Sequence, residues 1–346
     1  MAQIVDENKS KKHSLLIFII ILLAIIVDEG VNNILIEAIA PVAQHHNWIT
    51  NAFVIFSMPF ALLLGGWSDF HNRRATLLFA LICILGSTIA IWYYTIYGNN
   101  TLGISSLALK AIGGNAIPIG LAALVDVTPP KRFRSYLAIA ICAISIGSWI
   151  PIHFRPYLTD LIKFSLVVGL ICLLMTYFWF KIYKFDVSQH GKKIINPKIF
   201  FSFFKKEIVQ IFIFIGAPIV ALCFWGFFFS EASFYQMLLR GEFLVQNNYY
   251  SFTSLAMPIG YYIGTILLFF LGKRKTADRV CIQLGLTCSL ISIIFITFFN
   301  SIETENNIIY YTLISLFSMG FALFIPSIFS LLSVNRHENE QGKIYG

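Results

Sequence analysis

Long apolar runs alternate with short polar, mostly basic segments from Ser14 to Val334. A helix needs about 20 apolar residues to cross the hydrocarbon core, and lipid-facing irregular backbone is too costly there, so each run predicts one spanning helix. The pattern gives ten spans: Ser14–Ala40, Trp48–Trp67, Ala75–Tyr97, Leu102–Val125, Phe133–His153, Phe164–Phe180, Glu207–Glu231, Tyr250–Leu271, Val280–Phe299 and Ile308–Val334. Lysines and arginines set the direction. Of the 25 basic side chains, Arg155, Lys163 and Arg240 lie in one set of loops, Lys110 lies inside a span, and all the others lie in the opposite loops or the tails. Both termini are therefore expected on the cytoplasmic side.

The longest interior loop runs from about Lys181 to Lys206 and parts six spans from four. This predicts an N-terminal six-helix bundle over residues 1–184, a cytoplasmic linker over 185–206, and an incomplete C-terminal bundle of four helices over 207–346. The end of the linker, Pro197 to Lys206, is either a surface-lying aromatic segment or an ordinary basic loop feeding the next span. Short matches support two related halves. Ser57-Met58-Pro59 precedes Gly65 in the second span as Ala256-Met257-Pro258 precedes Gly264 in the eighth. Ile117-Pro118 in the fourth span likewise has a counterpart in Ile325-Pro326 in the tenth, again offset by about 200 residues.

Composition agrees with a lipid setting: 58% of the 346 residues are hydrophobic and 12% charged, with a mean hydropathy of +0.76. The net charge of +8 reads as an orientation signal, because no basic stripe with interleaved aromatics of the nucleic-acid-binding kind is present. Cys83, Cys142, Cys172, Cys223, Cys281 and Cys288 all sit in apolar runs without a Cys-x-x-Cys pair, so they read as reduced packing residues. The first run has basic flanks but continues past Glu37 without a small-residue cleavage site, so it is read as a retained span.

One hinge between two spans carries a more specific pattern: Gly65-Gly66-Trp67-Ser68-Asp69-Phe70-His71-Asn72-Arg73-Arg74. Its Gly-x-x-x-Asp-x-x-x-Arg-Arg spacing resembles the signature between the second and third spans of the major facilitator superfamily of secondary transporters. Phe70 replaces a usual basic residue, and Asn72 replaces a usual glycine, with the tolerance for left-handed backbone that asparagine has. In the fourth span, Lys110-Ala111-Ile112-Gly113-Gly114 resembles the superfamily's Arg-x-x-x-Gly signature with lysine in the arginine position. The resemblance implies an all-α integral membrane protein of two pseudo-symmetric bundles, with a central cavity and alternating access. It also implies that Gly65, Asp69, Arg73 and Arg74 form a cytoplasmic gate. The tail from Asn335 to Gly346 corresponds to the segment that leads into the fifth span in the first half, so a reading frame truncated before two further spans is expected; a genuine ten-span protein is the other reading.

Ionisable groups inside spans are costly and are functional candidates by default. The first span holds Asp28, Glu29, Asn32 and Glu37, followed by Pro41. At about 100° per residue, Asp28 and Asn32 stand one turn apart, and Glu29 and Glu37 two turns apart on roughly one face. Acids at these distances before Pro41 resemble the first span of proton-coupled multidrug antiporters of the superfamily, which implies proton exchange at Glu29 and Glu37 and cationic substrates. At about 1.5 Å of rise per residue, Lys110 lies roughly 12 Å and Glu29 roughly 17 Å below the outer ends of their spans, depths compatible with an ion pair. The structural alternative is a carboxylate permanently paired with Lys110 to position helices. Gly113 and Gly114 would permit close helix contact.

Gly147 and Pro151 are too few for the antiporter signature of the fifth span. Glu231 is either a gate residue or the first solvated residue beyond its span. Trp149, Tyr235, Tyr261 and Tyr262 are candidate substrate contacts, and His45, His46 and His153 show no metal-ligating spacing. No phosphate-binding Gly-x-x-x-x-Gly-Lys-[Ser/Thr] loop occurs, so energy from a gradient is expected instead of ATP.

Together these readings give a secondary transporter and not an enzyme, moving a small solute by alternating access with proton coupling, by uptake or by export. The candidate substrate and proton residues are Asp28, Glu29, Asn32, Glu37, Lys110 and Asn115. No cofactor, metal or nucleic acid is expected. The partners are a solute, protons and the lipid of a cell (inner or plasma) membrane, and the protein is read as a monomer. The alternative is a non-transporting truncated remnant of such a transporter.

Overall fold

Apolar runs of more than 20 residues have one economical way to pair every backbone N–H and C=O inside lipid, which is the α-helix. The computed structural model describes residues 2–43, 57, 60–61, 63–68, 72–128, 133–153, 157–182, 249–271, 277–300 and 307–334, and among them the regular structure is helical. The long helices are α1 (Ala2–Ala43), α2 (Arg73–Tyr97), α3 (Asn100–Gly113), α4 (Ala116–Val127), α5 (Phe133–His153), α6 (Leu158–Ile182), α7 (Tyr249–Leu271), α8 (Ala277–Asn300) and α9 (Asn307–Val334). Five stretches of them are long and apolar enough to cross a membrane: Leu15–Leu35, Arg73–Tyr97, Asn100–Asp126, Leu158–Phe178 and Tyr311–Ile328. The expected seventh span and the linker lie outside the described residues, as does most of the second span.

Three local details differ from expectation. α1 begins at Ala2, so the helix extends through the polar tail that precedes its apolar run. Asn72 does not take a left-handed conformation; its backbone is extended (φ −158°), and its side chain accepts from the Arg74 amide at 3.0 Å as the N-cap of α2. The fourth span is two helices, α3 and α4, interrupted at Gly114-Asn115. Between α2 and α3 the chain turns on Gly98, whose φ of 66° is left-handed, and Asn99, which caps α3 by accepting from the Thr101 amide at 2.9 Å.

The described helices fall into two units, α1–α6 in one and α7, α8 and nearly all of α9 in the other. In the first, α1 is central and packs on α5, α4 and α6, while α2 packs on α3 and α6. Ile20, Ile21, Ala24, Ile25, Ile34 and Leu35 of α1 are fully buried. Outward-facing Ile82, Ile89, Phe164, Val167 and Ile171 on α2 and α6 present an apolar surface suited to lipid. Because lipid is as apolar as leucine, close packing and interhelical hydrogen bonds must hold such a bundle, and small residues permit both. A methyl group on Gly120 of α4 would already press Ile21 at 3.3 Å and Ile25 at 3.4 Å.

The second unit is built on the same device. Gly260 and Gly264 of α7 lie against the backbone of Ser315 and Met319 of α9, and Gly285 of α8 lies against Gly320 of α9. Ser315 Oγ donates to the Ala256 carbonyl at 2.9 Å. Two contacts match across the units. Ser87 of α2 donates to the Ser106 carbonyl of α3 at 2.8 Å, and Ser292 of α8 donates to the Leu313 carbonyl of α9. Gly113 meets Cys83 just as Gly320 meets Ser289.

Candidate functional site

The interruption of the fourth span is where the ionisable residues gather. Lys110 lies in the last turn of α3, and its ammonium donates to Asp28 Oδ1 at 2.5 Å and to the Gly114 carbonyl at 2.7 Å. The other carboxylate oxygen of Asp28 accepts from the Ile117 amide of α4 at 2.8 Å. Both residues are almost out of solvent, Asp28 at 2% and Lys110 at 4% exposure. Burying two charges is tolerated here because each is paired and hydrogen-bonded. Each also sits at the favourable end of a half-helix, the cation at the C-terminus of α3 and the anion at the N-terminus of α4.

Depth left both Asp28 and Glu29 open as partners of Lys110; the lysine makes an ion pair with Asp28. Glu29 is half-buried and accepts from the side-chain amide of Asn33 at 3.0 Å; the same amide donates to the Glu29 carbonyl at 2.9 Å. Asn33 was not singled out from the sequence, although its place one turn beyond Glu29 is the signal that could have found it. Asn32 is half-buried on the same helix. Asn115 is half-buried too, with its side chain turned back to the Ala111 carbonyl at 3.0 Å. The side chain of Glu37 lies outside the described residues.

Glycine sets how closely the elements approach. A methyl on Gly114 would stand 2.6 Å from Lys110 Cδ, so the lack of a side chain there leaves room for the lysine stem to reach across the gap. Gly113 meets Cys83 and Phe79 of α2, the close contact that its sequence suggested. Gly147 of α5 packs on the backbone of Ile26 and Gly30 and on Glu29 Cβ.

A second polar cluster lies at the other end of the fourth span. Arg73 Nε donates to Asp126 Oδ2, its Nη2 reaches Asp126 Oδ1 at 3.4 Å, and its Nη1 donates to Ser68 Oγ at 3.2 Å. Ser68 Oγ in turn donates to the Gly65 carbonyl at 2.6 Å. Gly65, Arg73 and Arg74 are buried, while Asp69 lies outside the described residues. Ser68 and Asp126 carry no role in the sequence reading, where the fourth span ends at Val125. An acid in the last turn of a span that faces a basic hinge was the available clue.

Tyr261 is half-buried and Tyr262 exposed on α7. The side chains of Trp149 and His153, together with Glu231, Tyr235, His45 and His46, lie outside the described residues. Among the described residues, no three His, Cys, Asp or Glu side chains are grouped so as to hold a metal ion.

The family model of the Major Facilitator Superfamily matches residues 17–346. The chain belongs to this superfamily. It is thus a multi-pass membrane transport protein of all-α fold, and not an enzyme. A comparison with curated proteins found no match. Among solved structures, the fold is similar to that of a variant of the E. coli fucose:proton symporter FucP, with a TM-score of 0.65 and 16% identity over 96% of this chain and 87% of that one. A bacterial homologue of the iron transporter ferroportin, in an outward-facing state, gives 0.65 and 14% over 96% and 87%. The proton:xylose symporter XylE, bound to 6-bromo-6-deoxy-D-glucose, gives 0.65 and 12% over 97% and 85%. At such identities the likeness is one of fold alone.

Proposed function

We propose that this superfamily member is a secondary transporter that moves a small solute by alternating access in exchange or symport with protons, with Glu29 as the acid that takes up and releases the proton. The observation that carries this reading is the half-buried carboxylate of Glu29, beside a buried Asp28–Lys110 ion pair at an interrupted span. Intramembrane ionisable groups are costly and mark ion and substrate paths, and interrupted spans are a common place for them. The fold neighbours named as proton symporters for fucose and xylose lend support to proton coupling.

In this reading Lys110 is the counter-ion of the acidic pair, Asn32 and Asn115 offer amide contacts to the solute, and Glu37 gathers cations at the outer mouth. Gly65, Asp69, Arg73 and Arg74 form the cytoplasmic gate, and the protein works as a monomer with both termini in the cytoplasm of a cell. The lysine and arginine distribution supports that orientation.

The test uses the full chain in proteoliposomes with a trapped pH-sensitive dye. L-fucose, D-xylose, ferrous iron and ethidium are offered in turn, under inward and outward proton gradients. Proton movement linked to one of them is expected, and Glu29→Gln is expected to abolish it while the protein still elutes as a folded monomer. Undiminished proton-linked flux in that variant would overturn the role of Glu29.

A further inference from the structure

A helix that begins in the middle of a membrane must satisfy its first amides without water. The residue placed to cap α4 is Asn115, yet its side chain makes no capping bond and is spent on the Ala111 carbonyl behind it. The amide of Ile117, second residue of α4, is instead bound by Asp28 of α1. Binding of the second or third helical amide by a side-chain oxygen is the defining contact of an N-cap. Here the oxygen comes from another helix, 89 residues away in sequence.

We propose that Asp28 is a positioning residue: the N-cap of α4 supplied in trans by α1, locked there by Lys110, and not itself an exchanging acid. Lys110 completes the arrangement from the other side by holding the Gly114 carbonyl at the end of α3. The pair thus brackets the gap, with a charge on each exposed helix end, and ties α1, α3 and α4 into one body. Both carboxylate oxygens of Asp28 are engaged and the residue is buried.

The second half of the chain provides an internal comparison. With Gly113 matched to Gly320 by their packing, Lys110 falls on Phe317, and with Ile117-Pro118 matched to Ile325-Pro326 it falls on Ser318; both are buried and neither is charged. There α9 runs unbroken from Asn307 to Val334. The span with the charged bracket is interrupted, and its counterpart without one is continuous.

The inference rests on the transport reading only for its flux arm. Two charge-balanced double variants of the full chain in lipid nanodiscs separate the cap from the charge. Asp28→Asn with Lys110→Met keeps an oxygen for the Ile117 amide, whereas Asp28→Leu with Lys110→Met removes it. Hydrogen exchange of peptides covering residues 114–120 is expected to stay close to wild type in the first and to quicken about two- to thirtyfold in the second, the range set by loss of a cap. Equal protection in the two would overturn the capping role.

In the flux assay, the Asn/Met variant is expected to slow proton movement without shifting its pH profile, whereas Glu29→Gln abolishes the movement. A folded Asn/Met variant whose pH profile is shifted or flattened would make Asp28 an exchanging acid and sink the proposal. If the wild type itself moves no proton with any of the four solutes, the transport reading fails while the exchange comparison still decides the cap.

Discussion

Gly147 of α5 rests directly on Glu29 of α1: a methyl at Gly147 would stand 2.9 Å from Glu29 Cβ and 2.8 Å from the Ile26 carbonyl. Neither neighbour is a flexible chain end, so Gly147→Ala must push α1 and α5 apart at the level of the candidate proton site. A destabilisation of about 1–3 kcal/mol is expected, as for other overpacked contacts, read as a lowered thermal unfolding midpoint in detergent. Gly30→Ala faces only an ordinary 3.6 Å contact with the Gly147 carbonyl and should be close to neutral.

The second unit should be less forgiving of added volume than the rim of the first. Gly260→Ala would drive a methyl into the Ser315 carbonyl, whereas Gly86→Ala meets only Leu109 Cδ1 at 3.7 Å. Unfolding of the two variants in a detergent titration should therefore separate them. Gly260→Ala is expected to lose about 1–3 kcal/mol or more, and Gly86→Ala to match or slightly exceed wild type through its better helix propensity.

The paired hydroxyl bridges, Ser87 to the Ser106 carbonyl and Ser292 to the Leu313 carbonyl, offer a test of equivalence between the halves. Interhelical hydrogen bonds in membranes contribute about 0.6 kcal/mol on average and up to about 1.7. Ser87→Ala and Ser292→Ala should each cost an amount in that range, and the two effects should add, because the sites belong to separate units.

At the Arg73 cluster, the guanidinium uses three nitrogens on two residues, Asp126 and Ser68. A lysine has neither the planar fork nor the reach to hold both. Arg73→Lys is expected to cost about 1.5–3 kcal/mol, the range for hydrogen bonds to charged groups, and Ser68→Ala, which loses one such bond at 3.2 Å, an amount near the lower end of that range. Thermal unfolding of both variants at low and high salt checks this. A pair whose side chains are only 10% and 19% exposed should show little salt dependence.

Much of the architecture was legible because lipid imposes a coarse rule. A run of apolar residues long enough to span must be helical, so Phe133–His153 was placed to the residue, and α7 and α9 to within one residue at either end. The hinge from Gly65 to Arg74 named the superfamily for a similar reason, since its glycines, turn and paired arginines are local features. Cap chemistry was less visible. Asn72 read as a substitute for glycine, yet an asparagine just before a helix more readily caps it with its side-chain oxygen.

Apolar run length, the hinge pattern and the scarcity of charge inside the spans settle the solvent, the helical class, the superfamily and the short roster of buried charges. The tertiary structure decided which of them meet. Counting rise along a helix gives depth, but neighbours in sequence differ by only about 1.5 Å in depth and by about 100° in direction. Depth could not choose between Asp28 and Glu29 as the partner of Lys110; direction did, and it turned Asp28 toward the lysine and the Ile117 amide. The gap at Gly114-Asn115 was beyond the sequence for the same reason. Two glycines permit an interrupted helix without requiring one, and here the caps that satisfy its open ends come from a lysine in the preceding turn and an aspartate on another helix.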